Sequence, residues 1–94
     1  MYHPAKDVFN ALERHYSRED AIISLLESYL DRFEQLHSDR VIRCIIYLSQ
    51  GNSTVFKRYL DAAVKDPRDV MFWAEYEDHN SRSPKRVRDF TFSF

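Results

Sequence analysis

A single glycine, Gly51, serves all 94 residues, and only Pro4, Pro67 and Pro84 join it as strong chain breakers. Tight hairpin turns draw heavily on glycine, so a chain this poor in it has few places to reverse direction between many short strands. The same scarcity removes a class of function. A phosphate cradle of the Walker or dinucleotide type needs several glycines where backbone meets phosphate, and no such loop can be written here.

What remains is helix, and five stretches show helical periodicity. The first begins near Pro4, suited to an opening turn because its missing N–H would have no partner there, and carries Val8, Phe9, Leu12 and Tyr16. In the second, Ser17 caps and Asp20 stands three residues on, an acidic form of the capping box. Ile22, Leu25, Leu26, Tyr29, Leu30 and Phe33 then form one unbroken stripe, with Glu19, Glu27, Asp31, Arg32 and Glu34 mostly opposite.

The third stretch opens at Ser38 or Asp39 and closes at Gly51, a natural left-handed terminator. Val41, Ile42, Cys44, Ile45, Ile46 and Leu48 make it apolar around most of its girth, which predicts the central helix. Its β-branched run would also suit a strand. The flanking caps, the Arg40/Arg43 spacing and the lack of any pairing strand favour the helix. The fourth starts at Asn52 or Ser53 and carries Val55, Phe56, Tyr59, Leu60, Ala63 and Val64 until Pro67 ends it. Asp66 caps the fifth, whose Val70, Trp73 and Ala74 are assigned to one face and Phe72 and Tyr76 to nearly the opposite one.

Short connections favour antiparallel neighbours. The expected fold is therefore all-α: a compact bundle of about five helices over residues 1–78, with residues 79–94 as an irregular basic and aromatic tail packed back on it. A hydrophobic fraction of 44% and an aromatic fraction of 15% give such a bundle a core to bury. The lone Cys44 makes no internal disulfide, which points to a reducing cytoplasm. No apolar run approaches the roughly 18 residues of a membrane span, and the start "MYHPAKDVF" lacks a signal-peptide core.

Candidate chemistry is thin. His3, His15, His37 and His79 are scattered, and Glu34-x-x-His37 is one copy of a di-iron spacing that requires two. Cys44 lies mid-helix with Arg40 one turn away, but free cysteines are among the most buried residues, and filler is the expected role. No Gly-flanked serine elbow or acid pair is visible. The expectation is a protein that is not an enzyme, with no cofactor and no metal site. A helix-turn-helix around Gly51 fits poorly: Tyr47 and Lys57 occupy positions that want a small and an apolar residue, and Asp61 and Asp66 offset Lys57, Arg58 and Lys65.

The carboxyl end carries the sharper signal. Residues 1–79 balance at −4, whereas Arg82, Lys85, Arg86 and Arg88 against Asp89 leave residues 80–94 at +3. Phe90, Phe92 and Phe94 recur every second residue, so an extended chain would place all three on one side. These seven residues, with Phe72 and Tyr76, form the expected partner-binding set. The phenylalanines are expected to fold back over Phe72 and Tyr76; the alternative cover is a second protein, a second copy included. Nucleic-acid binding through the basic segment is the second reading, by charge and base stacking. A small-molecule site among Tyr47, Tyr59 and Glu75 is the third.

The stretch "LSQGNSTVFKRYLDAAVKDPRDVMFWAEYE" resembles the ending of small bacterial helical proteins. Gly51, Asn52, Tyr59, Ala63, Asp66, Arg68, Asp69, Val70, Ala74, Glu75 and Tyr76 carry the likeness. The resemblance implies an all-helical fold and a bacterial cytoplasmic origin, and it brings no catalytic residue with it. Arg68 is placed to reach a carboxylate on the preceding helix. Glu75, between aromatics, finds no role in the sequence.

Overall fold

A computed structural model describes residues 2–94. Five α-helices lie among the described residues: α1 Lys6–His15, α2 Ile22–Arg32, α3 Asp39–Ser49, α4 Ser53–Lys65 and α5 Pro67–Glu75. The fold is all-α apart from two short strands, β1 Tyr76–Glu77 and β2 Lys85–Arg86. These pair antiparallel, Tyr76 with Arg86 and Glu77 with Lys85.

Local chemistry explains most helix ends. Ser38 accepts from Val41 N–H, Asn52 from Val55 N–H and Asp66 from Arg68 N–H, each satisfying a donor that the first turn would otherwise orphan. Asp66 ends α4 as well as opening α5, so the two helices share one junction residue. Arg68 closes on Asp66 itself, Nη2 to Oδ2 at 2.9 Å, rather than on a carboxylate within the preceding helix. Gln50 and Gly51 both stand in the left-handed region, at φ 48° and 77°, and turn the chain out of α3.

The second helix departs from expectation. Ser17 and Asp20 do form the capping box, but it closes only a 3-10 turn, Arg18–Asp20. Ala21 then swings to φ 51°, and α2 starts afresh at Ile22. A capping box specifies one turn; the direction of the helix beyond it is set by where Ile22, Leu26, Tyr29 and Leu30 are buried.

α3 is the hub, packing against α1, α4 and α5. Val41 through Ile46 are buried without a break, and Val8, Leu12, Leu26, Leu30, Phe56, Leu60, Val70, Ala74 and, from the tail, Phe90 are among the residues packed with them in the core. One buried run of six therefore meets neighbours on several sides, as expected of a helix apolar around its girth.

α5 corrects the expected assignment of faces. Val70, Ala74 and Glu75 are buried, while Trp73 is 38% exposed. Trp73 thus joins Phe72 and Tyr76 on the outward side, a spacing of i, i+1 and i+4 that shares one helical face. The helix is apolar on two sides, as its sequence implies, but the tryptophan lies on the opposite side from the one assigned.

Candidate functional site

Two features converge at the carboxyl end of α5: a groove filled by the tail, and an aromatic face beside it. Glu75, the last residue of α5, has no solvent exposure. A lone buried carboxylate would be costly, and here three groups, one from α3 and two from the tail, compensate it. Arg40 of α3 makes a two-pronged pair with it, Nε to Oε2 at 3.0 Å and Nη2 to Oε1 at 2.5 Å. From the tail, Arg86 Nη2 approaches to 3.5 Å and Phe90 N–H donates to Oε2 at 2.9 Å. Burial pushes the Glu75 pKa up, but the Arg40 bonds, the Phe90 amide and the charges of Arg40 and Arg86 outweigh it and hold the carboxyl below its ordinary value.

The backbone end of α5 is closed by the same tail. Glu75 carbonyl accepts from Val87 N–H at 2.8 Å and Arg88 N–H at 3.1 Å, and Ala74 carbonyl accepts from Arg88 Nε at 2.8 Å. Carbonyls left open by a helix end are thereby satisfied, with a cation where the helix dipole favours one. The Arg88 guanidinium also lies 4.6 Å from the centre of the Tyr47 ring.

Arg43, at 3% exposure, holds the far side of the tail. It pairs with Asp7 of α1 through Nε at 3.0 Å and Nη2 at 3.1 Å, and its Nη1 donates to the carbonyls of Phe90 and Thr91 at 3.0 and 3.1 Å. The Arg43 bond and charge keep Asp7 below the usual carboxylate range. Phe90, 6% exposed, sits between with its ring 5.4 Å from Tyr47.

The expected partner-binding residues are therefore divided. Phe90 is buried against α3, not over Phe72 and Tyr76, which corrects the expected cover. Phe92 is 88% exposed and Phe94 47%, with Phe94 leaning edge-on to Phe90 at 5.9 Å. The three do not share one side because Thr91 bends back onto Asp89 through its amide and hydroxyl. Arg82 and Lys85 are exposed, whereas Arg86 and Arg88 are paired with Asp89 at 3.0 Å and Glu77 at 3.4 Å as well as with the groove.

Phe72 and Tyr76 are half-buried and cover each other, rings 5.4 Å apart, with the His79 ring 4.9 Å from Phe72. His79 Nε2 donates to the Tyr76 carbonyl at 2.5 Å. Trp73 leans on Tyr59 of α4 at 6.1 Å. These rings form two neighbouring aromatic clusters, Phe72, Tyr76 and His79 at the end of α5 and Trp73 with Tyr59 between α5 and the middle of α4.

Other candidates fall away on geometry. Cys44 is fully buried, and burial pushes its thiol up to about 12, while Arg40 turns to Glu75 instead. His37 donates to the Leu30 carbonyl at 2.7 Å and stacks on Tyr2 at 5.0 Å. Among the described residues no cluster of three or more His, Cys, Asp or Glu side chains could hold a metal ion. Tyr47 borders an open hollow of about 480 Å³ between α1 and α3, with Arg14, His15, Gln50 and Phe94, but Tyr59 and Glu75 do not line it.

Glu75 and Arg43 are the residues whose roles sequence reasoning missed. Each had a signal: an acid lodged among aromatics, and a cation inside a helix apolar all round. No helix among the described residues is long and apolar enough to cross a membrane. No known family profile, curated protein or solved structure matches the chain. Fold and site define a class only: a small all-α protein whose tail is clamped across its central helix by two buried charges.

Proposed function

We propose that the protein is a non-enzymatic interaction module that docks a protein partner on the aromatic face of α5. The observation that carries this reading is that Phe72, Trp73 and Tyr76 point outward while the tail's one buried phenylalanine lies elsewhere, on α3. Tryptophan and tyrosine are the residue types that most often anchor protein interfaces. Fully covering an exposed large apolar side chain is worth roughly 1.5–3 kcal/mol, and with Trp73 38% exposed and Phe72 and Tyr76 half-buried the face offers a partner a fraction of that per ring. A second copy of the chain is one such partner.

Sedimentation across a concentration series tests the self-association version. A dimer of twice 11.3 kDa is expected, and Trp73→Ala with Tyr76→Ala should return it to monomer with helical content intact. A monomer at every concentration, together with partner capture from extract that the double variant leaves unchanged, would refute the role of this face.

A second reading, nucleic-acid binding, is supported by the exposed Arg82, on the turn between the strands, and the exposed Lys85, the first residue of β2. The other two basic residues are committed to carboxylates, which weakens it. It requires retention on DNA or RNA that falls steeply with salt and disappears in an Arg82→Ala, Lys85→Ala chain.

A further inference from the structure

The tail does more than cover apolar surface; it is bound as a peptide is bound. We propose that the groove between α3 and α5 is a receptor for an extended Arg-x-Phe segment of a protein partner, and that Arg88, Asp89 and Phe90 are its resident occupant.

The chemistry of the groove defines what it accepts. One wall offers a carboxylate, Glu75, to a backbone N–H, and the other offers a guanidinium, Arg43, to two backbone carbonyls. Main-chain bonds of this kind, with pockets for selected side chains, are the usual means of recognising an extended peptide. Two side chains are read. The arginine is held by the Tyr47 ring and the Ala74 carbonyl, and the phenylalanine packs on Tyr47. Asp89, between them, is exposed and makes no bond to the groove walls, so that position is unread.

Part of the receptor is preset by the helices. Arg40 orients Glu75 and Asp7 orients Arg43, both from the helices themselves. Glu77, 3.4 Å from Arg88, matches a basic occupant in sign. The tail is held by these groove contacts, by a ladder of two residue pairs and by the Glu75 and Ala74 carbonyls, and it reaches them through an exposed turn over 78–83.

A tether this short gives the resident segment an effective concentration in the millimolar range, so a partner must compete with it. Weakening the resident should therefore unmask the site. The probe is a fluorescently labelled peptide matching residues 85–94, titrated into the full-length chain. A Phe90→Ala chain is expected to bind it at least 10-fold more tightly than the natural chain, with saturation. Replacing Arg88 or Phe90 of the peptide by alanine should weaken binding at least 10-fold. Equal binding of the peptide and its Phe90→Ala version by a folded Phe90→Ala chain would overturn the proposal.

If Phe90→Ala does not fold, the natural chain answers through its Phe90 amide and Tyr47 ring resonances. Displacement by millimolar peptide should shift both, and resonances that stay in place would refute it. A dimer that grows with concentration while the peptide fails to bind would assign the groove to a second copy's tail instead, and overturn the foreign partner.

Discussion

At the residue scale, Glu75 shows how a side chain can look unexplained in sequence and yet organise a structure. An acid at the end of a helix faces the dipole's negative pole, and burial adds a further cost. Arg40, Arg86 and the Phe90 amide reverse both. Glu75→Gln keeps the shape but removes the charge, leaving Arg40 without its counter-ion. Because Arg40 keeps 32% of its side chain in water, the expected loss is about 2–3 kcal/mol, less than the 3–5 typical of a fully buried pair. Urea denaturation measures it, and an unchanged midpoint would mean the pair adds nothing.

Two backbone positions give opposite expectations. Gly51 stands at φ 77°, and an added Cβ would lie 3.3 Å from the His15 carbonyl oxygen. Gly51→Ala should therefore cost about 1–2 kcal/mol, the usual penalty for an L-residue in the left-handed region. Ala21 already bears that penalty at φ 51°. Ala21→Gly should stabilise the fold by about 0.5 kcal/mol, after glycine's own entropy cost is subtracted. The first position was legible as a helix terminator. The second was not, because alanine is the best helix former and nothing local marks it as a break.

At the element scale, the tail and α5 act as a unit. The tail supplies the hydrogen bonds that α5's last carbonyls need, while α5 supplies the carboxylate that the tail's amide needs. Phe90→Ala should free this strap without dissolving the bundle, since the Val70 and Ala74 side of α5 packs independently on α3. Hydrogen exchange should show lost protection at the amides of Val87, Arg88 and Phe90, with α3 and α4 unchanged. Loss of protection throughout would show that the strap is integral to the core. Helix boundaries were largely legible because Ser38, Asn52 and Asp66 act on donors within three residues of themselves. The two-residue ladder was not, since strands that short carry no periodicity to read.

At the scale of the whole molecule, ionisation brackets the stable range. Asp7, Asp61 and Glu75 all titrate below their ordinary values in the fold, Asp61 through the Tyr29 hydroxyl first and Lys57 after it. A carboxyl with a depressed folded pKa contributes stability above its unfolded value, about 4, and loses it as pH falls through the folded one. Cys44 acts in the other direction. Its folded pKa is raised to about 12, so its contribution is complete below the unfolded value of about 8.5 and is lost as pH rises toward 12. Denaturation midpoints should be flat from about pH 5 to 8 and fall on either side. A Cys44→Ala chain should keep the acid fall and lose part of the alkaline one.

Composition and spacing alone settled that this chain is helical, where most of its helices begin and end, and that α5 is apolar on two sides. Such properties depend on contacts within a turn or two, which a linear text records. Only the tertiary structure decided which side Trp73 takes, where Phe90 docks, and why Glu75 and Arg43 are charged at all. Those answers depend on residues 15 to 48 positions apart meeting in a dry groove, where desolvation makes pairing obligatory, and no local pattern encodes which partners will arrive.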